Sequence, residues 1–179
     1  MLEHIIAHSF QVQHVALYLA DRLAEHRRVL NRDLIASAAL LHDITKTRSF
    51  ETGEDHAMTG AQMLCRLGYH AVGDIIGQHV RLRHFSAEQP ISEAEIVNYA
   101  DKRVLHDRVV PLERRMRYIM THYVKAEAQM PALRRLWRII EQIEDRIMAR
   151  IPPEDRDLCC LNDRKAVPED FLQFRKERD

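Results

Sequence analysis

Apolar residues recur along this chain at helical rather than strand spacing. Ile5, Val12, Val15, Ala16, Leu19 and Leu23 fall on one stripe of an opening helix. A second helix is predicted from about Asn31 through the apolar run 34–41 to the pair His42-Asp43. Residues 45–55 are polar and aperiodic and read as a loop, after which Asp55 caps a third helix that starts at His56 and stops at Gly68. A fourth helix spans roughly 70–83. Ser92-Glu-Ala-Glu95 is a capping-box pattern and opens a helix that carries Ile96, Val97, Ala100, Asp101, Val104 and Leu105 inward. Pro111 and Pro131 open helices of about 14 and 20 residues. The latter carries Leu133, Leu136, Trp137, Ile140, Ile143 and Ile147 near 3.6 spacing, a stripe that serves the core in preference to a homodimer seam, and Pro152-Pro153 ends it. No segment alternates as a strand would, so the expected fold is all-α, a bundle of about six to eight helices. Residues 154–179 are charged apart from Phe171, Leu172 and Phe174, which predicts a partly ordered tail or a short docking helix.

Composition narrows the classes. With 179 residues the chain has room for one domain with a real core, plus the tail. Lysine and arginine number 27 and so do aspartate and glutamate, so no global charge points to nucleic acid or a membrane. Any anionic ligand has to be held locally. No run approaches the roughly 20 apolar residues of a membrane span and the first residues lack a signal-peptide pattern, so a cytoplasmic protein is expected. Cys65, Cys159 and Cys160 have no CxxC spacing, which leaves metal chemistry to nitrogen and oxygen donors.

The donors are present. His42-Asp43 ends a helix that is apolar for two turns, where neither group is buried cheaply without a partner. His8 shares the inward face of the first helix, His79 follows Ile75 and Ile76 by about a turn, Asp101 follows Val97 by a turn, and His56 adds a fifth delivery point. One inward histidine is ordinarily a satisfied core residue. Four imidazoles and two carboxylates converging from separate helices are satisfied together by divalent cations.

The order His8, His42-Asp43, His56, His79, Asp101 resembles the HD-domain superfamily of metal-dependent phosphohydrolases. The contexts agree as well, in Ala38-Ala-Leu-Leu-His-Asp-Ile-Thr-Lys46, His56-Ala-Met-Thr-Gly-Ala61 and Ala100-Asp-Lys102. The run 101–108 is similar to stretches in small bacterial proteins of the HDIG type. The resemblance covers about residues 4–110 and implies a metal-binding core over 1–110, C-terminal helices over 111–151 packing on it, and a polar tail over 152–179. It implies that His8, His42, Asp43 and Asp101 hold one metal, and that Asp43 bridges to a second completed by His56 and His79. Such a donor set suits iron, manganese, cobalt, nickel or zinc, and magnesium less well. Many members read His-Asp-Ile-Gly-Lys where Thr45 stands here, a change that bears on the turn presenting Lys46.

The implied activity is hydrolysis of a nucleotide or another small phosphate ester, with Asp43 and Lys46 catalytic and Lys46 and Lys102 binding substrate. Two rivals stand beside it: a di-iron oxygenase on the same ligands, and a catalytically silent nucleotide-binding module. Arg48, Arg81 and Arg83 are weaker phosphate-binding candidates, and His84 and His106 receive no role. The basic stretches Arg114-Arg-Met-Arg117 and Arg134-Arg135 read as exposed faces, with no interleaved aromatic residues to mark a nucleic-acid surface.

Overall fold

The apolar stripe at the start of the chain becomes the inner face of α1 (Glu3–Glu25), where Val12, Val15, Ala16, Leu19 and Leu23 are completely buried. A computed structural model describes residues 1–25, 29–124, 126–163, 167–168 and 171. Among these are eight α-helices, three short 3-10 turns and one two-stranded hairpin, so the protein is all-α in character. α1 packs against α2 (Arg32–Leu41) and α6 (Glu93–Arg103), and α2 in turn lies on α5 (His70–Ile76) and α6. No helix among the described residues is long and apolar enough to cross a membrane.

The helix starts follow the expected capping chemistry. The Asn31 side chain accepts from the Leu34 amide at 3.0 Å. Asp55 accepts from the Ala57 and Met58 amides at 2.9 and 3.1 Å, opening α4 (His56–Arg66). At α6 the capping box is complete, Ser92 and Glu95 each bonding the other's backbone amide. α8 (Met130–Met148) buries Trp137, Ile140, Ile143 and Ile147 against the rest of the chain, which makes its apolar stripe part of the core. α6 and α8 are tied by a polar knot: Tyr99 donates to Glu144 at 2.6 Å, and Arg103 donates to both.

Three expectations change. Residues 46–52 form a short helix, α3 (Lys46–Thr52), rather than a loop; none of its residues is buried, so it has no apolar stripe to read, and Gly53 at φ 71° ends it. The fourth helix ends at Ile76 instead of near 83. The chain turns there because Asn98 donates to the carbonyls of Gln78 and His79 at 3.2 and 2.9 Å, replacing helical partners. α6 stops at Arg103, and Val104-Leu105 form β1, paired antiparallel with β2 (Arg108–Val109) across His106-Asp107. Val104 and Leu105 remain buried, so their inward direction holds while the backbone does not stay helical.

The tail, expected to be partly ordered or to form a short docking helix, begins as structure. Leu158 and Leu161, in a 3-10 turn (Leu158–Asp163), enter the core, and Asn162 exchanges two hydrogen bonds with the Val109 backbone at 2.7 and 2.9 Å. Phe171 lies 5.1 Å from the Phe10 ring. Leu172 and Phe174, expected in a partly ordered tail or a docking helix, lie outside the described residues. Between α6 and α8, α7 (Leu112–Tyr123) buries only Leu112 completely.

The approach of α5 to α4 depends on Gly73. A Cβ there would stand 2.8 Å from Cys65 Sγ and 2.9 Å from the Ala61 carbonyl oxygen, closer than packed atoms approach. Gly73→Ala is expected to destabilise the protein by about 1–3 kcal/mol through overpacking. A thermal melt reads the loss, and an unchanged midpoint would contradict this close helix contact.

Candidate metal centre

The six donors foreseen in the sequence come from helix ends and turns as much as from helix faces. His8 projects from the second turn of α1, His42 caps the C-terminus of α2, and Asp43 begins the turn that follows. His56 is the first residue of α4, His79 lies just beyond α5, and Asp101 is in the last turn of α6. The structure brings all six together. Asp43 Oδ1 is 3.2 Å from His56 Nε2 and 3.5 Å from His79 Nε2, and its Oδ2 is 3.5 Å from His42 Nε2. Asp101 Oδ1 is 3.1 Å from His8 Nε2 and 3.8 Å from His42 Nε2. Two sets of potential ligands result, His8/His42/Asp43 and Asp43/His56/His79, each with its donor atoms within 4.8 Å of one another, and Asp43 belongs to both.

Proton positions decide what these atoms want. His8, His42 and His79 each place Nδ1 2.7 Å from a backbone carbonyl, of His106, Ala39 and Ile76 respectively. A carbonyl only accepts, so each Nδ1 carries the proton, and the neutral ring presents Nε2 as a lone pair. Three such lone pairs and the oxygens of two carboxylates therefore face a common interior. His42 Nε2 and Asp43 Oδ1 are buried there with no hydrogen-bond partner. Leaving such acceptors unpaired costs on the order of 1–3 kcal/mol each, and a divalent cation satisfies several at once. The donor set fits a transition-metal ion, and the Nδ1-to-carbonyl bonds are the outer contacts that hold a ligating imidazole in place.

The electrostatics agree with that assignment. Complete burial pushes His42 down to about 3, so its ring is neutral and open to a metal at physiological pH. Burial alone would raise Asp43, but its charged surroundings, the Lys46 ammonium 3.0 Å away among them, outweigh it and hold the carboxyl well below the usual carboxylate range. Asp101 is held low in the same way, by Lys102 first and with Arg115 beside it.

A cleft of about 440 Å³ opens over His8 and Asp43. Lys46 lies on its wall and donates to Asp43 Oδ2 at 3.0 Å. Burial works against the Lys46 ammonium, yet Asp43 and Asp101 outweigh it and keep the group charged. Lys102 is placed differently from the sequence expectation. Its ammonium is buried, donates to Asp101 Oδ2 at 2.6 Å and to the His79 carbonyl at 2.9 Å, and is not among the cleft's lining residues. It braces Asp101 and the turn at His79.

The sequence places Arg115 on an exposed basic face, and the structure does not. It lies on the cleft wall with its side chain 13 % exposed, its Nη2 3.8 Å from Asp101 Oδ1 and its Nε buried without a hydrogen-bond partner. The signal was available: Leu112, Met116 and Ile119 recur at i, i+4 and i+7, and Arg115 borders that inward stripe. Arg114 and Arg117 are exposed, as are Arg134 and Arg135. Arg48 pairs with Glu54 and Arg83 with Asp74, while Arg81 is exposed; none of these three lines the cleft. His106, given no role, lines the cleft and supplies the carbonyl that fixes His8. Its φ of 56° is left-handed, a conformation histidine adopts more readily than most residues.

The HD domain family matches residues 5–104, more than half of the chain and the span that carries all six donors. The chain belongs to the HD-domain family. Two relatives are both named ribonuclease Y. The protein from Chloroflexus aurantiacus is 31% identical over 99 residues, and that from Thermoanaerobacter pseudethanolicus is 32% identical over 99 residues. Each match covers 55% of this chain and 18% of the relative, so the chain corresponds to less than a fifth of either. No solved structure matches the chain.

HD domains are in general metal-dependent hydrolases that bind divalent ions, and the clustered donors here could hold such ions. At Thr45, where many HD domains have glycine, the backbone sits at φ −101° and has no need of glycine. The Thr45 hydroxyl instead donates to the His56 carbonyl at 2.8 Å, joining the turn after Asp43 to the start of α4. The buried neutral His42 predicts how the metal-free HD domain responds to acid. Unfolded, this imidazole takes a proton at its ordinary value of 6.5; folded, it resists until about 3. Below pH 6.5 the unfolded state therefore binds more protons, and stability falls with pH, by about 3 kcal/mol at pH 4. Protonation of Asp43 and Asp101 adds to the loss only at the acid end. Thermal melts of chelator-treated protein from pH 7 to 4 should show a falling midpoint, and a flat profile would contradict burial of His42 as a neutral base.

Proposed function

We propose that the chain is a metal-dependent phosphoric ester hydrolase that cleaves a nucleotide or another small phosphate ester at a dinuclear site. One observation carries the reading: buried acceptor atoms converge in two sets around Asp43, directly beneath a cleft walled by Lys46 and Arg115. His8, His42, Asp43 and Asp101 would hold one ion, and Asp43, His56 and His79 the other. When bound, such ions supply Lewis-acid stabilisation of phosphoryl charge and lower the pKa of a coordinated water.

The chain's own residues do the rest. The Nδ1 bonds of His8, His42 and His79 keep their Nε2 lone pairs aimed inward without reorganisation. Lys102 and Arg115 hold Asp101 as a carboxylate, as Lys46 holds Asp43. Lys46, 25 % exposed at the cleft wall, presents a cation to a non-bridging phosphoryl oxygen. The relatives' name, ribonuclease Y, brings RNA phosphodiesters into the substrate range worth testing.

Phosphate release from nucleotides, sugar phosphates and short RNAs under added manganese, iron, cobalt and nickel tests the reading. Asp43→Asn is expected to lower kcat by more than about 100-fold and Lys46→Ala by about 10- to 100-fold, with folding retained. Turnover that survives Asp43→Asn, or that proceeds equally well with chelator present, would contradict it. Stoichiometric iron with oxygen-dependent spectra and no phosphate release would favour the oxygenase reading.

A further inference from the structure

One ammonium group touches both halves of the metal centre. Lys102, in the last turn of α6, has its side chain 6 % exposed and donates to Asp101 Oδ2 at 2.6 Å and to the His79 carbonyl at 2.9 Å. Asp101 turns its other oxygen, Oδ1, toward His8 and His42, 3.1 and 3.8 Å from their Nε2 atoms. His79 belongs to the other set, with Asp43 and His56. Asn98, one turn earlier on the same face of α6, donates to the same His79 carbonyl at 2.9 Å and to that of Gln78 at 3.2 Å. Among the described residues its side-chain hydrogen bonds are these two. A charge placed as deeply as that of Lys102 is costly unless paired and hydrogen-bonded. The His79 carbonyl alone does not call for it, since the neutral amide of Asn98 already satisfies that oxygen.

We propose that Lys102 is a positioning residue that couples the two ion sites, holding Asp101 as a one-oxygen ligand of the first and the backbone of His79 in place for the second. The inference rests on the dinuclear part of the reading above, and it assigns what that reading leaves open, how the two sites are held in register. With Oδ2 taken by the ammonium, Asp101 offers Oδ1 to an ion and stays turned toward His8 and His42. The His79 ring is tied through Nδ1 to the Ile76 carbonyl, so a shift of the backbone at His79 carries Nε2 with it. Both restraints end on one atom, Lys102 Nζ. Two effects of the ammonium oppose each other. Its charge repels an incoming cation, while its hydrogen bonds keep the ligands where the cation needs them. The repulsion is offset at its source by the Asp101 carboxylate 2.6 Å away. The bracing therefore dominates, and outer contacts of this kind are worth about 10- to 100-fold in metal affinity.

Titration of the full chain, freed of metal, with cobalt(II) tests the proposal, read by calorimetry and visible absorption in two backgrounds: His56→Ala, which leaves the first site, and His8→Ala, which leaves the second. Lys102→Met should weaken cobalt binding by about 10- to 100-fold in both. Asn98→Ala removes a donor from the same carbonyl and leaves Asp101 untouched. It should weaken binding by about tenfold in the His8→Ala background and leave the His56→Ala background unchanged. General destabilisation would move both backgrounds alike for either substitution, so this split separates positioning from support of the fold. If circular dichroism shows that Lys102→Met does not fold, Lys102→Gln is read instead; its neutral side chain is too short to serve both partners and should give the same loss. A fall confined to the His56→Ala background, an unchanged affinity, or tighter binding on removal of the charge would overturn the proposal. A single ion in the unmodified chain would sink the dinuclear reading and the coupling with it. Two ions that respond as described, with no phosphate released from any ester, would sink the hydrolase reading and leave the coupling standing.

Discussion

Three histidine side chains with Nδ1 tied to backbone carbonyls are the constraint on which the rest of the structure depends. Each bond uses the proton of a neutral imidazole on a helix or turn carbonyl and so turns a lone pair toward the interior. Two of those carbonyls, of Ala39 and Ile76, lie three residues before the histidine they bind, so α2 and α5 orient His42 and His79 through their own last turns. The third, of His106, crosses from the hairpin to α1 and makes the left-handed turn at His106 part of the centre. Acceptors arranged in this way destabilise a protein until something positive joins them.

Much of the surrounding architecture serves to hold that arrangement. The departures from regular helix, at 42–45, at 77–79 and at 104–109, fall where donors or their carbonyl partners are delivered. Asn98 and Lys102, side by side on the inner part of α6, satisfy the carbonyls released where α5 stops. Thr45 ties the turn after Asp43 to the residue that opens α4. Gly73 lets α5 approach α4 closely enough for His79 and His56 to meet, their Nε2 atoms 3.2 Å apart. The long regular helices α1, α6 and α8 provide the buried apolar mass, and their packing fixes the distances between the ends.

What could be read from the sequence follows the same division. The stripes of α1 and α8, the caps at Asn31, Asp55 and Ser92, and the inward direction of all six donors are visible because periodicity and capping are local signals. α3 was invisible because it buries nothing. The early end of α5 and the hairpin after Arg103 depend on Asn98 and on the pairing of Val104 with Val109, contacts that no local window contains. Lys102 and Arg115 are placed contrary to the reading by adjacency. Lys102 follows a donor in sequence yet is buried behind it, and Arg115, thirteen positions after Lys102, reaches the cleft because α7 packs against α6. A net charge of zero is compatible with both, since the anions of the centre are balanced locally by these two cations and Lys46.

The central claim is that Asp43 joins two cation sites in one buried cluster. Elemental analysis of protein purified without chelators, comparing the unmodified chain with His56→Ala, tests it most directly. The account predicts two transition-metal ions per chain in the first and one in the second, because His8, His42, Asp43 and Asp101 remain when His56 is removed. Absence of stoichiometric metal from both, after incubation with manganese, iron, cobalt, nickel and zinc in turn, would contradict it.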